Sequence, residues 1–124
     1  MSVTAKVCRV DDEHRVVMDE GDADELELEL DDDGYLSLDK SWGAVQTMIG
    51  SVTAVDLFAK EALDSSEVAS LARVLKKLPW SEAVDACEAP EDEELDDVEY
   101  YFTSFRSLVL SAAKEGTGLR CTFS

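Results

Sequence analysis

Asp64-Ser65-Ser66-Glu67-Val68-Ala69-Ser70-Leu71-Ala72-Arg73-Val74-Leu75-Lys76-Lys77-Leu78-Pro79 holds the strongest local signal in the chain. Its first four residues make a capping box, in which the Asp64 carboxylate accepts from the Glu67 amide and the Glu67 side chain reaches back. Val68, Leu71, Ala72, Leu75 and Leu78 then recur at helical spacing along one stripe. Arg73, Lys76 and Lys77 crowd the C-terminal end, where the helix dipole favours cations, and Pro79 stops the helix. A helix with one apolar stripe needs an apolar surface to lie on.

The flanking sequence offers strands for that surface. Val3 to Val10 alternates Val3, Ala5 and Val7 with Thr4 and Lys6, as a strand does. After the polar break Asp11-Asp12-Glu13, His14 to Met18 suits a return strand. Glu25-Leu26-Glu27-Leu28-Glu29-Leu30 has a strict period of two. On a strand its leucines all face inward and its glutamates all face water, whereas a helix would smear the leucines over about 200°. Asp31-Asp32-Asp33-Gly34 supplies a turn, and Tyr35 to Leu38 a short extended run. Ser41 is placed to cap a helix from Trp42 to about Ile49, with Gly50 as its stop. Residues 51–58 are rich in β-branched side chains and suit a buried strand, or else a helix running on to Leu63.

Beyond Pro79, Ser81 is a candidate cap for a short turn of helix through Ala86. Leu95, Val98, Phe102, Phe105, Val109 and Ala112 give the apolar face of a long helix of about Glu94 to Lys114, ended by Gly116. Leu119, Cys121 and Phe123 alternate as a closing strand. Together the elements predict one compact α+β domain over residues 1–124. Its expected form is two-layered, a mostly antiparallel sheet packed against two or three helices.

At 13.6 kDa and 45% hydrophobic residues, such a chain can bury roughly two-thirds of its unfolded surface. Its net charge is −18, and the charge is unevenly placed. Residues 11–39 hold fourteen acids against Arg15 alone, and residues 88–99 hold eight acids and no base. Residues 40–87 are nearly neutral, with six acids and five bases. Concentrated charge makes a directional field rather than a uniform solubility coat. It repels nucleic-acid backbones and anionic membranes, whose binding depends on basic contacts. A saline cytoplasm would instead select acids spread along the whole chain. No apolar run approaches the ~20 residues of a membrane span, and the first ten residues lack a signal-peptide core. A cytoplasmic location is expected.

Motifs of chemistry are few. Cys8, Cys87 and Cys121 are single and odd in number, as free buried thiols are, and not paired as in a disulfide framework or zinc site. The lone His14 would face Cys8 only across a hairpin, which is a poor basis for a nucleophilic dyad. Glu29 to Gly34 begins like a calcium loop, but its twelfth position is Lys40, where the bidentate carboxylate should be. The stretch is better explained as a solvated turn, so no metal, cofactor or catalytic residue is assigned.

Leu38-Asp39-Lys40-Ser41-Trp42, followed by an apolar helix to Gly50, resembles the L-D-K-x-W signature of the YfbM-like family of bacterial domains of unknown function. Ser66-Glu67-Val68, Tyr101-Phe102 through Phe105, Ala112-Ala113 and Gly116 are similar to its later helix and strand. Family members have an extra stretch between the tryptophan helix and the capped helix, which here shrinks to about residues 51–63. The resemblance implies a compact α+β fold, marks Asp39, Lys40 and Trp42 as signature residues, and brings no activity.

The function expected from the sequence is therefore non-enzymatic: an acidic module that engages a basic protein, as an immunity protein or antitoxin does. Glu25, Glu27, Glu29, Asp31, Asp32 and Asp33, then Glu91, Asp92, Glu93 and Glu94, are the expected partner-binding residues. The alternative is a small-molecule or divalent-metal accessory domain centred on Asp39, Lys40 and Trp42.

Overall fold

The computed structural model describes residues 4–11, 13, 15–17, 21, 28, 30–31, 34–39, 41–86 and 95–123. Among the described residues four strands form one sheet: β1 (Ala5–Val10), β2 (Leu36–Asp39), β3 (Ala62–Leu63) and β4 (Gly118–Phe123). Their order is β2-β1-β4-β3, and every neighbouring pair is antiparallel. The longest pairing joins the two sequence-distant strands, from Ala5 opposite Phe123 to Val10 opposite Gly118. Among the described residues three helices exceed two turns: α1 (Trp42–Gly50), α3 (Ser65–Lys76) and α5 (Leu95–Glu115). Two are single turns, α2 (Leu57–Lys60) and α4 (Trp80–Ala83), the latter running into a 3₁₀ turn at Val84–Ala86. This is the α+β architecture the patterning predicts.

The helices cover one face of the sheet. Ala5 and Val7 of β1, Leu36 and Leu38 of β2, Leu63 of β3 and Leu119 and Cys121 of β4 join one buried cluster with the helices. α5 contributes Val98, Phe102, Phe105, Leu108, Val109 and Ala112, and α3 contributes Val68, Leu71, Ala72 and Leu75. Alternation along β1 turns Cys8 and Val10 to the opposite face, where both are also buried.

The capping box of α3 forms as expected. The Glu67 amide donates to Asp64 Oδ1 at 2.8 Å, and the Asp64 amide donates to Glu67 Oε1 at 3.3 Å. The Ser66 hydroxyl adds a third donor to Asp64 Oδ1, at 3.0 Å. At the far end, Arg106 of α5 donates to the Leu75 and Lys76 carbonyls, satisfying acceptors that the helix end leaves open. α5 closes in a Schellman motif: the Thr117 amide donates to the Ala112 carbonyl and the Gly116 amide to the Ala113 carbonyl. Gly116 has φ +71°, the left-handed conformation that this motif requires.

Four local expectations are corrected. Ser41 precedes α1, but its side chain makes no capping bond and the residue is buried. The tight exit from β2, with the Ser41 amide on the Leu38 carbonyl at 3.1 Å, turns the chain there instead. Residues 51–58 form neither a buried strand nor a long helix, and Val52 stands 45% exposed. Asp56 restarts the backbone by accepting from the Phe58 and Ala59 amides, and Glu61, at φ +67°, ends the resulting single turn. Ser81 lies inside α4, because the Pro79 carbonyl takes the Glu82 and Ala83 amides and makes Pro79 the N-cap. The return strand at 14–18 reduces, in its described part, to a bridge between Val16 and Val10. Val16 and Val17 are exposed, so no burial rewards a longer ladder.

Leu28 is buried in the core, Leu30 is partly buried against it, and Leu30 bridges Leu36. The rest of the alternating stretch, Glu25–Glu27 and Glu29, lies outside the described residues. The turn after it is visible at its ends: the Gly34 amide donates to the Asp31 carbonyl at 3.0 Å, and Gly34 has φ +85°.

Two outcomes test this account. A Cβ at Gly118 would lie 2.5 Å from the Leu63 carbonyl oxygen, so β3 packs on β4 only over a glycine. Gly118→Ala should destabilise the protein by about 1–3 kcal/mol in urea denaturation. The Asp64 carboxyl is held below its ordinary 3.8, first by the Glu67 amide and then by the Ser66 hydroxyl. Its capping contribution is therefore fully present above pH 3.8 and is lost as pH falls through the lower folded value. Asp64→Ala should lower Tm by a few degrees at neutral pH, and that gap should close on acidification to about pH 2.

Candidate functional site: an acidic groove along helix α5

Burying one face of α5 leaves the opposite side to the surface. Asp96, Glu99, Tyr100, Thr103, Ser104 and Ser107 fall at helical spacing on one stripe beside the core face. With Leu28 they line an open groove of about 390 Å³. Asp96, Asp97 and Glu99 are exposed in the first turns of α5, where the helix dipole favours carboxylates. Tyr100 is 45% exposed and meets Tyr101 edge-on, with ring centroids 5.3 Å apart.

The fold occupies other described carboxylates more fully. Asp31 pairs with Lys6 at 2.9 Å and takes the Tyr35 amide at 2.9 Å. Asp11 and Glu13 hold Arg15 at 3.0 Å each, Glu67 pairs with Lys60, and Asp56 takes the Gln46 side-chain amide at 2.8 Å. Asp96, Asp97 and Glu99 make no ion pair among the described residues. The groove thus holds two carboxylates, Asp96 and Glu99, without ion pairs among the described residues, next to an exposed aromatic ring.

The residues picked out by the sequence fare unevenly. Asp31 sits at the mouth of its turn with its carboxylate engaged. Glu25, Glu27, Glu29, Asp32, Asp33, Glu91, Asp92, Glu93 and Glu94 lie outside the described residues, as do Lys40 and the side chain of Asp39. Trp42 is half-buried, its ring centroid 5.8 Å from Phe58 and 5.0 Å from Phe123 in an edge-on contact. It packs between α2 and β4, which is structural work. Among the described residues no group of three His, Cys, Asp or Glu comes together as metal ligands, and no helix is long and apolar enough to cross a membrane.

The groove itself was missed from sequence, although its polar spacing of 96, 99, 100, 103, 104 and 107 is the complement of the apolar stripe that was read. A second depression, of about 560 Å³, lies at the β3–β4 edge on Lys60, Glu61, Ala62 and residues 120–123. Its central contacts are internal: the Cys121 amide donates to the Glu61 carbonyl at 2.8 Å, and Lys60 turns to Glu67.

Comparison with protein-family models, with curated proteins and with solved structures finds no match to this chain.

Both described thiols are buried. Burial pushes Cys121 up to about 12, helped by the Glu61 and Asp56 carboxylates. Burial also raises Cys8, against the opposing hydrogen bond from Tyr35. A thiol that stays protonated and covered reacts slowly. Iodoacetamide at about pH 8 should leave both unmodified in the native protein and alkylate both after guanidinium unfolding, as read by peptide mass spectrometry.

Proposed function

We propose that the chain is a cytoplasmic, non-enzymatic binding module whose acidic surface engages a basic protein, in the manner of an immunity protein or antitoxin. The supporting observation is the set of carboxylates at Asp96, Asp97 and Glu99, exposed, without ion pairs among the described residues, and beside the exposed Tyr100 ring. Like charges placed together repel one another and add nothing to packing. A cationic partner relieves that repulsion, speeds encounter and selects against acidic competitors. An aromatic residue at the centre of such a patch supplies the apolar contact that charges alone lack. In this reading Glu25, Glu27, Glu29, Asp31, Asp32 and Asp33, and Glu91 to Glu94, are further partner-binding acids.

The test is capture from the source cells' lysate at about 50 mM salt, where charge is weakly screened. Three baits are compared: the native chain, a form neutralised at Asp96, Asp97 and Glu99, and a form neutralised at residues 25–33 and 91–94. A basic protein held by the native bait, released by about 300 mM salt and lost from the neutralised baits is the expected result. Circular dichroism on each bait confirms that the fold is intact. Equal capture by all three baits, or none by any, refutes the proposal.

A further inference from the structure

Ser104 is buried to 6% exposure and lines the groove. Its hydroxyl makes no hydrogen bond among the described residues, as is also true of the buried Ser41, whereas other hydroxyls of the fold are engaged. Thr47 donates to the Gly43 carbonyl at 3.0 Å, Ser51 to the Met48 carbonyl at 2.6 Å and Thr117 to the Ala112 carbonyl at 3.3 Å. Ser111, two turns further along the same side of α5, accepts a hydrogen bond from the Arg9 guanidinium. The Ser104 residue is largely covered but its hydroxyl opens onto the groove, and with no partner among the described residues it can bond a ligand that enters there.

We propose that this groove is an arginine-recognition site, taking one guanidinium from a basic partner. The assignment rests on the acidic-interface reading above and names the group that the interface grips. A guanidinium carries five N–H donors in a planar fork and no acceptor. The groove offers matching acceptors: the Asp96 and Glu99 carboxylates and the hydroxyls of Thr103, Ser104 and Ser107. Tyr100 supplies an aromatic face for the cation to stack on, and Leu28 an apolar wall for the aliphatic stem. A lysine ammonium is a compact, strongly hydrated charge without the planar fork, so it stacks less well on the ring and engages fewer of these acceptors at once. Arg9 on Ser111 shows that the same side of α5 already accepts a guanidinium within the fold.

The experiment titrates the ¹⁵N-labelled full chain with blocked tri-arginine and, separately, blocked tri-lysine peptide at low salt, following backbone amide shifts. The expected result is perturbation centred on residues 96–107, with tri-arginine binding about tenfold tighter than tri-lysine. Ser104→Ala, and independently the surface change Tyr100→Leu, should each weaken tri-arginine about three- to tenfold and weaken tri-lysine less. Equal affinity for the two peptides, or shifts scattered over other acidic positions with no effect of either variant, overturns the arginine site and leaves the broader acidic-interface reading standing. Failure of the native chain to bind either peptide overturns both.

Discussion

Everything in this molecule is arranged around the need to bury one side of α5. That helix presents Val98, Phe102, Phe105, Leu108, Val109 and Ala112 as a continuous apolar face, and it touches β1, β2 and β4 as well as α1, α3 and α4. Phe105 meets Phe58 at a 5.6 Å ring separation, and Phe102 meets Trp80 at 5.9 Å, so even the single-turn helices are tied to it. Removing that face from water is the largest favourable term available to a chain of this size. It also fixes which residues remain outside. Once the apolar stripe is committed to the sheet, the neighbouring stripe from Asp96 to Ser107 is left to line the groove beside Leu28.

The acidity of the chain divides accordingly into two kinds. Carboxylates at Asp11, Asp31, Asp56 and Asp64 accept backbone amides, and so act as local joints. They are held by geometry, and their charge is incidental to where they sit. The carboxylates on α5 have a different setting, since the helix dipole favours them near its start and they make no ion pair among the described residues. The described carboxylates thus fall into two settings with separate physical roles.

Legibility in the sequence followed the range of the interactions. The box at Asp64 and Glu67, the stripe from Val68 to Leu78 and the stop at Gly116 depend on residues within one or two turns, and they were readable. The alternation in β1 and β4 was readable for the same reason. Ser41 and Ser81 were misread because cap preference is a weak prior, and a tight strand exit or a neighbouring proline overrode it. Residues 51–63 were ambiguous because Asp56 and Glu61, not the β-branched run, decide the backbone there. The groove could not be seen at all, since the burial of Ser104 and the presence of Leu28 beside it are products of tertiary packing.

The partnership of β1 with β4 has a consequence for how the protein is made. The first strand finds its principal neighbour among residues 118–123, and β3 joins the sheet only through that same strand. During synthesis, therefore, β1 has β2 as its strand partner among the described elements before β4 is made, and a two-stranded ribbon is marginal on its own. Helices α1, α3 and α5 emerge before the floor they lie on is finished. The sheet can close only after β4 has left the ribosome, so folding is deferred to the end of translation of this segment. Until then the nascent chain exposes the apolar face of α5, while its acidic runs keep neighbouring nascent copies apart.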